Sequence, residues 1–211
     1  MFSFQTIIDN LPVLAASARY TLLISGAGCL LGLIFGALIC VAAVSRAPAA
    51  RAFAGLYVSF FRGVPLLIQL LLAFYLLPLV GVNVPALAAA IFTVGLCAAA
   101  YISEILRGAL NAIPRGQAEA AIAVGLSPRH IWTRILLPQA LKISIPGIVN
   151  TFIGLFKDTS LVIIIGLFDL LNSIKQATTD PAWLGMATEG YVFAALVFWI
   201  FCFGMSRYSM H

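Results

Sequence analysis

Long apolar runs separated by short polar breaks set the pattern of this chain. A membrane-crossing helix needs about 20 largely apolar residues. Residues 20–44, 53–78, 84–107, 143–165 and 189–206 meet that requirement, which predicts five crossings. Asp9, Asn10 and Pro12 precede the first, and Ser45-Arg46-Ala47-Pro48 stops it. The second is interrupted at Arg62-Gly63-Val64-Pro65, and the fourth contains Lys157-Asp158. Residues 168–181 are amphipathic and too polar to cross, so a surface helix or loop is expected there, with Asp169 outside the membrane.

One long segment is too polar for lipid. In residues 116–138, Gln117–Val124 are good helix formers and Gly125 sits where a left-handed residue would end the helix. Ser127 then fits as an N-cap, with Pro128 at the first position of a second helix. That helix carries Ile131, Trp132, Ile135 and Leu136 near one side, and Pro138 is expected to end it. The reading is a helix–turn–helix block over 109–138. It is either an amphipathic connector at the headgroups or a docking element for something outside the bilayer.

Composition agrees with the pattern. The 211 residues are 63% hydrophobic and 9% charged, whereas soluble domains run at roughly 45–50% and about 25%. Lipid must cover the excess, and the continuous apolar runs exclude a β-barrel. The fold class is all-α integral membrane, with 1–211 as one transmembrane domain. The net charge of +5 falls in loops and at helix ends, so it bears on orientation rather than on nucleic acid. Arg46, Arg51, Arg107, Arg115, Arg129, Arg134, Lys142 and Arg207 share one side of a five-crossing arrangement. The positive-inside rule makes that side cytoplasmic, with the C-terminus, and puts the N-terminus outside. The start of the chain lacks a basic stretch and a small-residue cleavage site, so no removable signal peptide is expected. Cys29, Cys40, Cys97 and Cys202 lie in apolar segments without a CxxC pair, and no metal site is expected.

Several motifs occur together. Glu119-Ala120-Ala121 is followed by Gly125 and by Ile135-x-Leu137-Pro138; with them stand Arg62-Gly63-Val64-Pro65-Leu66-Leu67-x-Gln69, Ala100-Tyr101-Ile102-Ser103-Glu104-Ile105-x-Arg107-Gly108, Ile113-Pro114-x-Gly116-Gln117 and Lys157-Asp158-Thr159-Ser160-Leu161. The first set is the "EAA" signature of ABC importer permeases. From about residue 11 to 207 the chain resembles the polar amino-acid uptake permeases of the histidine/glutamine/arginine type. Val64 stands where that pattern commonly has Thr, and the pattern has a further basic tail beyond Arg207.

The resemblance implies a type I ABC importer permease: the membrane subunit of an amino-acid importer in the bacterial inner membrane. It implies a separate ABC ATPase dimer that binds ATP and Mg, a second permease subunit, identical or related, and an extracytoplasmic amino-acid-binding protein. Gln117, Glu119, Ala120, Ala121, Gly125, Pro128, Leu137 and Pro138 would form the ATPase coupling block. Glu119 would accept charge-assisted hydrogen bonds across the joint, Ala120 and Ala121 would permit close approach, and Gly125 would stop the lever.

The residues themselves leave the solute path more open. Gly63, Val64, Pro65 and Gln69 read either as a lining or gating break or as a packing kink, with Arg62 reaching cytoplasmic headgroups. Glu104 reads as an intrahelical ion pair with Arg107 or as part of the path. Lys157 and Asp158 either line the path, where they would meet a solute's carboxylate and ammonium, or pair structurally. The chain has no GxxxxGK[ST] loop, so it is not the ATPase by that chemistry. His130 and His211 have no convergent carboxylates or cysteines, which argues against an intramembrane enzyme. A secondary transporter or channel driven by an ion gradient is the alternative, but it leaves the polar block without a purpose.

Overall fold

The computed structural model describes residue 8 and residues 11–177 and 187–209. Those residues are helical apart from short connections. Helix α1 (Leu11–Val44) is followed by α2 (Pro48–Gly63) and α3 (Leu66–Leu71), which runs on through a π-helical turn (Leu72–Leu76) and a 3-10 turn (Leu77–Val80). Next come α4 (Ala86–Ala112), the short α5 (Arg115–Ala123) and a first turn α6 (Pro128–His130). A π-helical stretch (Ile131–Leu136) joins α6 to α7 (Leu137–Asp158), which passes into a 3-10 segment (Thr159–Ile165). Helices α8 (Leu170–Ala177) and α9 (Ala187–Ser209) complete the described chain.

Among the described residues, four helices are long and apolar enough to cross a membrane, and Pro48–Gly63 with Leu66–Val80 makes a fifth crossing if the bent pair counts as one. The bend is 103°, so the second predicted crossing is no straight rod. Helix α1 begins well before residue 20. At about 1.5 Å per residue its 34 residues exceed a hydrocarbon core about 30 Å thick, so it must tilt or protrude.

Helix α4 is the centre, and α1 packs along it through small residues. A Cβ on Gly28 would lie 2.7 Å from Val94, one on Gly32 2.5 Å from Ala98, and one on Gly36 2.9 Å from Ile102. Lipid supplies no hydrophobic drive to hold helices together, so close backbone approach and dispersion must do it. The resulting core contains Ile24, Leu70, Val94, Ala98, Ile102, Leu155, Val162 and Ile165. Helix α9 leans on α7 through Phe156, whose ring lies 5.2 Å from Phe198 and 5.6 Å from Phe201.

One expectation needs correction and two gain detail. Pro138 does not end a helix: Pro128–Ile165 is one continuous helical run. The π-helical turn just before Pro138 absorbs what a proline costs a helix, the missing N–H and the ring's clash with the preceding turn. Ser127 takes the expected N-cap position of α6, but its hydroxyl lies 3.0 Å from His130 Nδ1 and makes no hydrogen bond to a backbone N–H of the first turn. The described part of 168–181 is the expected amphipathic helix, with Phe168, Lys175 and Gln176 exposed on one side and the other side packed inward. Asp169, Asn172 and Ile174 are buried between α1, α9 and the 3-10 segment. Asp169 Oδ1 accepts hydrogen bonds from Asn172 N and Nδ2, Leu170 N donates to Thr21 Oγ1, and Asn172 Nδ2 also donates to Ser160 O. Residues 178–181 lie outside the described residues.

Candidate functional site

The break after α2 follows from its sequence. The residue before a proline is pushed out of the helical region, and proline has no N–H for the carbonyl four residues back. Val64 and Pro65 are accordingly extended (ψ 130° and 138°). The carbonyl that Pro65 orphans is that of Phe61. Gln69 Nε2 donates to it at 3.0 Å and to Val64 O at 2.7 Å, while Cys97 Sγ lies 3.8 Å from the same Phe61 oxygen. Tyr57 OH donates to Leu96 O at 2.7 Å and ties α2 to α4. A buried side-chain amide thus fixes the bend.

Beside the bend lies a cavity of about 580 Å³. Its walls are the end of α2 and the break (Phe61 to Leu67), Cys97 and Tyr101 of α4, one face of α7, and Leu161. On α7, Asn150, Thr151, Gly154 and Asp158 reach it because their spacing follows one helix face. Asp158 is half-buried and makes no hydrogen bond or ion pair among the described residues. The Arg62 guanidinium lies 5.3 Å from the centre of the Tyr101 ring, within cation–π range, and its Nη1 is 4.0 Å from Glu104 Oε2. Arg107 holds Glu104 in a fork, Nε to Oε1 at 2.9 Å and Nη2 to Oε2 at 2.6 Å.

The structure therefore divides the path candidates. Gly63, Val64, Pro65 and Asp158 line the cavity. Gln69 is buried behind the bend, Glu104 stands behind Arg62, and Lys157 is exposed away from the cavity wall. Arg62 also lines the cavity, beside Tyr101 of α4. Tyr101, Asn150 and Thr151 were missed. The signal for the last two was a polar pair inside an apolar run, two turns of helix before Asp158.

The polar block presents a second site. Helix α5 ends in a Schellman arrangement, with Leu126 N donating to Ala121 O at 3.1 Å, Gly125 N to Ile122 O at 2.9 Å, and Gly125 at φ 79°. Ala121 and Ile131 are buried where α5 packs on the π-helical turn. Gln117, Glu119, Ala120, Gly125, Pro128, Leu137 and Pro138 are exposed. Of the alanine pair, Ala120 faces out and Ala121 holds the hairpin together.

Residues 28–208 match the family described as "Binding-protein-dependent transport system inner membrane component". The chain belongs to that family. It is 50% identical over 194 residues to the inner membrane amino-acid ABC transporter permease protein YhdY of Escherichia coli K12, covering 90% of this chain and 53% of YhdY. It is 51% identical over 160 residues to BztC of Rhodobacter capsulatus, a glutamate/glutamine/aspartate/asparagine transport system permease protein, covering 73% of this chain and 36% of BztC. The chain thus spans about half the length of the first relative and less of the second. A crystal structure of an amino acid ABC transporter with histidines superposes with a TM-score of 0.90 at 26% identity, covering 100% of this chain and 97% of that one. The fold is that of a membrane-spanning ABC importer permease, with every described secondary-structure element a helix.

Proposed function

We propose that this permease-family chain is the membrane-spanning subunit of an ATP-driven amino-acid importer. The observation that carries the reading is the pairing of two features along one continuous helical run, Pro128–Ile165: the exposed α5 hairpin packs at its start, and Asp158 of the cavity stands near its end. A push on α5 moves a rod that carries one wall of the cavity. The family match and the named relatives support the same reading.

In this reading a separate ABC ATPase pair, with its ATP and Mg, grips α5 through Gln117, Glu119 and Ala120. A second permease subunit completes the path, and an extracytoplasmic binding protein delivers the solute. The Arg-rich side with α5 and the C-terminus is cytoplasmic, and the N-terminus is outside. Within the cavity Arg62 and Asp158 stand on different elements, where they suit the carboxylate and ammonium of an amino acid. Nothing in the relatives supports the ion-gradient alternative.

The test is uptake of radiolabelled amino acids by the reconstituted complex with and without ATP. Glu119→Lys is expected to lower ATP-driven uptake at least about ten-fold, as loss of a charge-assisted contact would, with membrane insertion intact. Full uptake by that variant defeats the docking role. Uptake sustained by an ion gradient without any ATPase overturns the whole reading.

A further inference from the structure

Two guanidiniums share one carboxylate beside the cavity. Arg107 takes both oxygens of Glu104 through hydrogen bonds, whereas Arg62 approaches Oε2 only to 4.0 Å, beyond hydrogen-bond reach. Counting charges, two cations against one anion leave one positive unit, and Arg62 is the member that lines the cavity. It is held there by the Tyr101 ring rather than by a full salt bridge, and it precedes the Gly63–Pro65 break. Asp158, the opposite charge on a different element, also lines the cavity.

We propose that Arg107 is a positioning residue for the solute: by saturating Glu104 it keeps the Arg62 guanidinium free to bind a carboxylate group in the cavity. The proposal rests on the transport reading above. Its physical basis is competition. A planar fork occupies both carboxylate oxygens in one geometry, and a second guanidinium gains little from an acceptor already engaged. Without Arg107, Glu104 would turn to Arg62, its other ion-pair partner among the described residues, and neutralise that wall. A solute carboxylate would then have to displace Glu104.

The measurement is ATP-driven uptake by the reconstituted complex of whichever of the twenty standard L-amino acids the wild type takes up fastest, with its α-carboxamide as competitor. Arg107→Gln is expected to raise KM about ten-fold, the scale of one charge-assisted hydrogen bond, with the effect on KM rather than on the maximal rate. Glu104→Gln shifts KM the other way, because Arg62 loses the carboxylate that it approaches to 4.0 Å. The double variant Glu104→Gln/Arg107→Gln returns KM below that of Arg107→Gln alone. Arg62→Gln raises KM for the acid and removes discrimination against the carboxamide. A merely structural ion pair predicts that either single loss impairs transport alike and that the double loss is no better. An unchanged KM in Arg107→Gln, a KM raised in Glu104→Gln, or no recovery in the double variant overturns the proposal. Should Arg107→Gln fail to insert, the opposite signs expected of Glu104→Gln and Arg62→Gln still decide it. Uptake of none of the twenty by the wild-type complex sinks the transport reading itself, which is a distinguishable failure.

Discussion

Lys157 and Asp158 are neighbours in sequence with opposite surroundings, since consecutive residues on a helix point about 100° apart. Asp158 lines the cavity and Lys157 is exposed outside it. Asp158→Asn is therefore expected to weaken uptake about ten-fold or more, as loss of a charged contact does. Lys157→Met should change it little; equal effects in a transport assay would place both on the path. Gln69 acts at the same scale. Replacing it by Met leaves the Val64 carbonyl unpaired and the Phe61 carbonyl with only the weak Cys97 thiol, at a cost of about 1–3 kcal/mol for a buried carbonyl that loses its partner; thermal unfolding in detergent would register the loss. Asp169 carries a pH dependence. Burial holds its carboxyl above the usual carboxylate range, and the hydrogen bonds from Asn172 pull only partly the other way. The folded state keeps the proton to higher pH than the unfolded chain does. Its contribution to stability is complete below the unfolded-chain value and is lost as pH rises through the folded one. Asp169→Asn, which cannot ionise, is expected to flatten that limb of a stability profile against pH.

Between elements, contact distance is the deciding quantity. The glycines of α1 that face α4 leave no room for a side chain, whereas Gly26 has open space around it. Gly32→Val should destabilise by about 1–3 kcal/mol or more through overpacking, and Gly26→Val should leave the melting temperature near that of the parent. The spacing of Gly28, Gly32 and Gly36 is visible in the sequence; their partner helix is not, because any apolar helix could offer a matching face. The Arg62–Pro65 break is legible for a similar local reason, since Pro65 acts on its own backbone. At the 103° bend Gln69 and Cys97 meet at the Phe61 carbonyl, and Tyr57 ties α2 to Leu96 of α4, contacts that join residues distant in the chain. Pro138 shows the reverse: its local rule predicts a helix end, and a wider turn just upstream lets the helix continue.

At the scale of the molecule, the two sites are distinct surfaces that one rod connects. Orientation is open to direct measurement. In a variant with its four cysteines replaced, Gln117→Cys should react with a membrane-impermeant maleimide in inside-out vesicles and stay unlabelled in intact cells. Labelling from outside would invert the arrangement and leave α5 out of an ATPase's reach.

The sequence by itself determined the membrane class, the approximate crossings, the break and the hairpin with its glycine stop. Each follows from transfer of residues into lipid or from backbone rules acting within a few positions. Tertiary structure decided which charges matter together. Arg62, Tyr101, Glu104 and Asp158 come from three different helices, and Gln69 left the candidate path while Arg62 joined it. Proximity between residues far apart in the chain depends on how helices pack and bend, and no local rule carries that information.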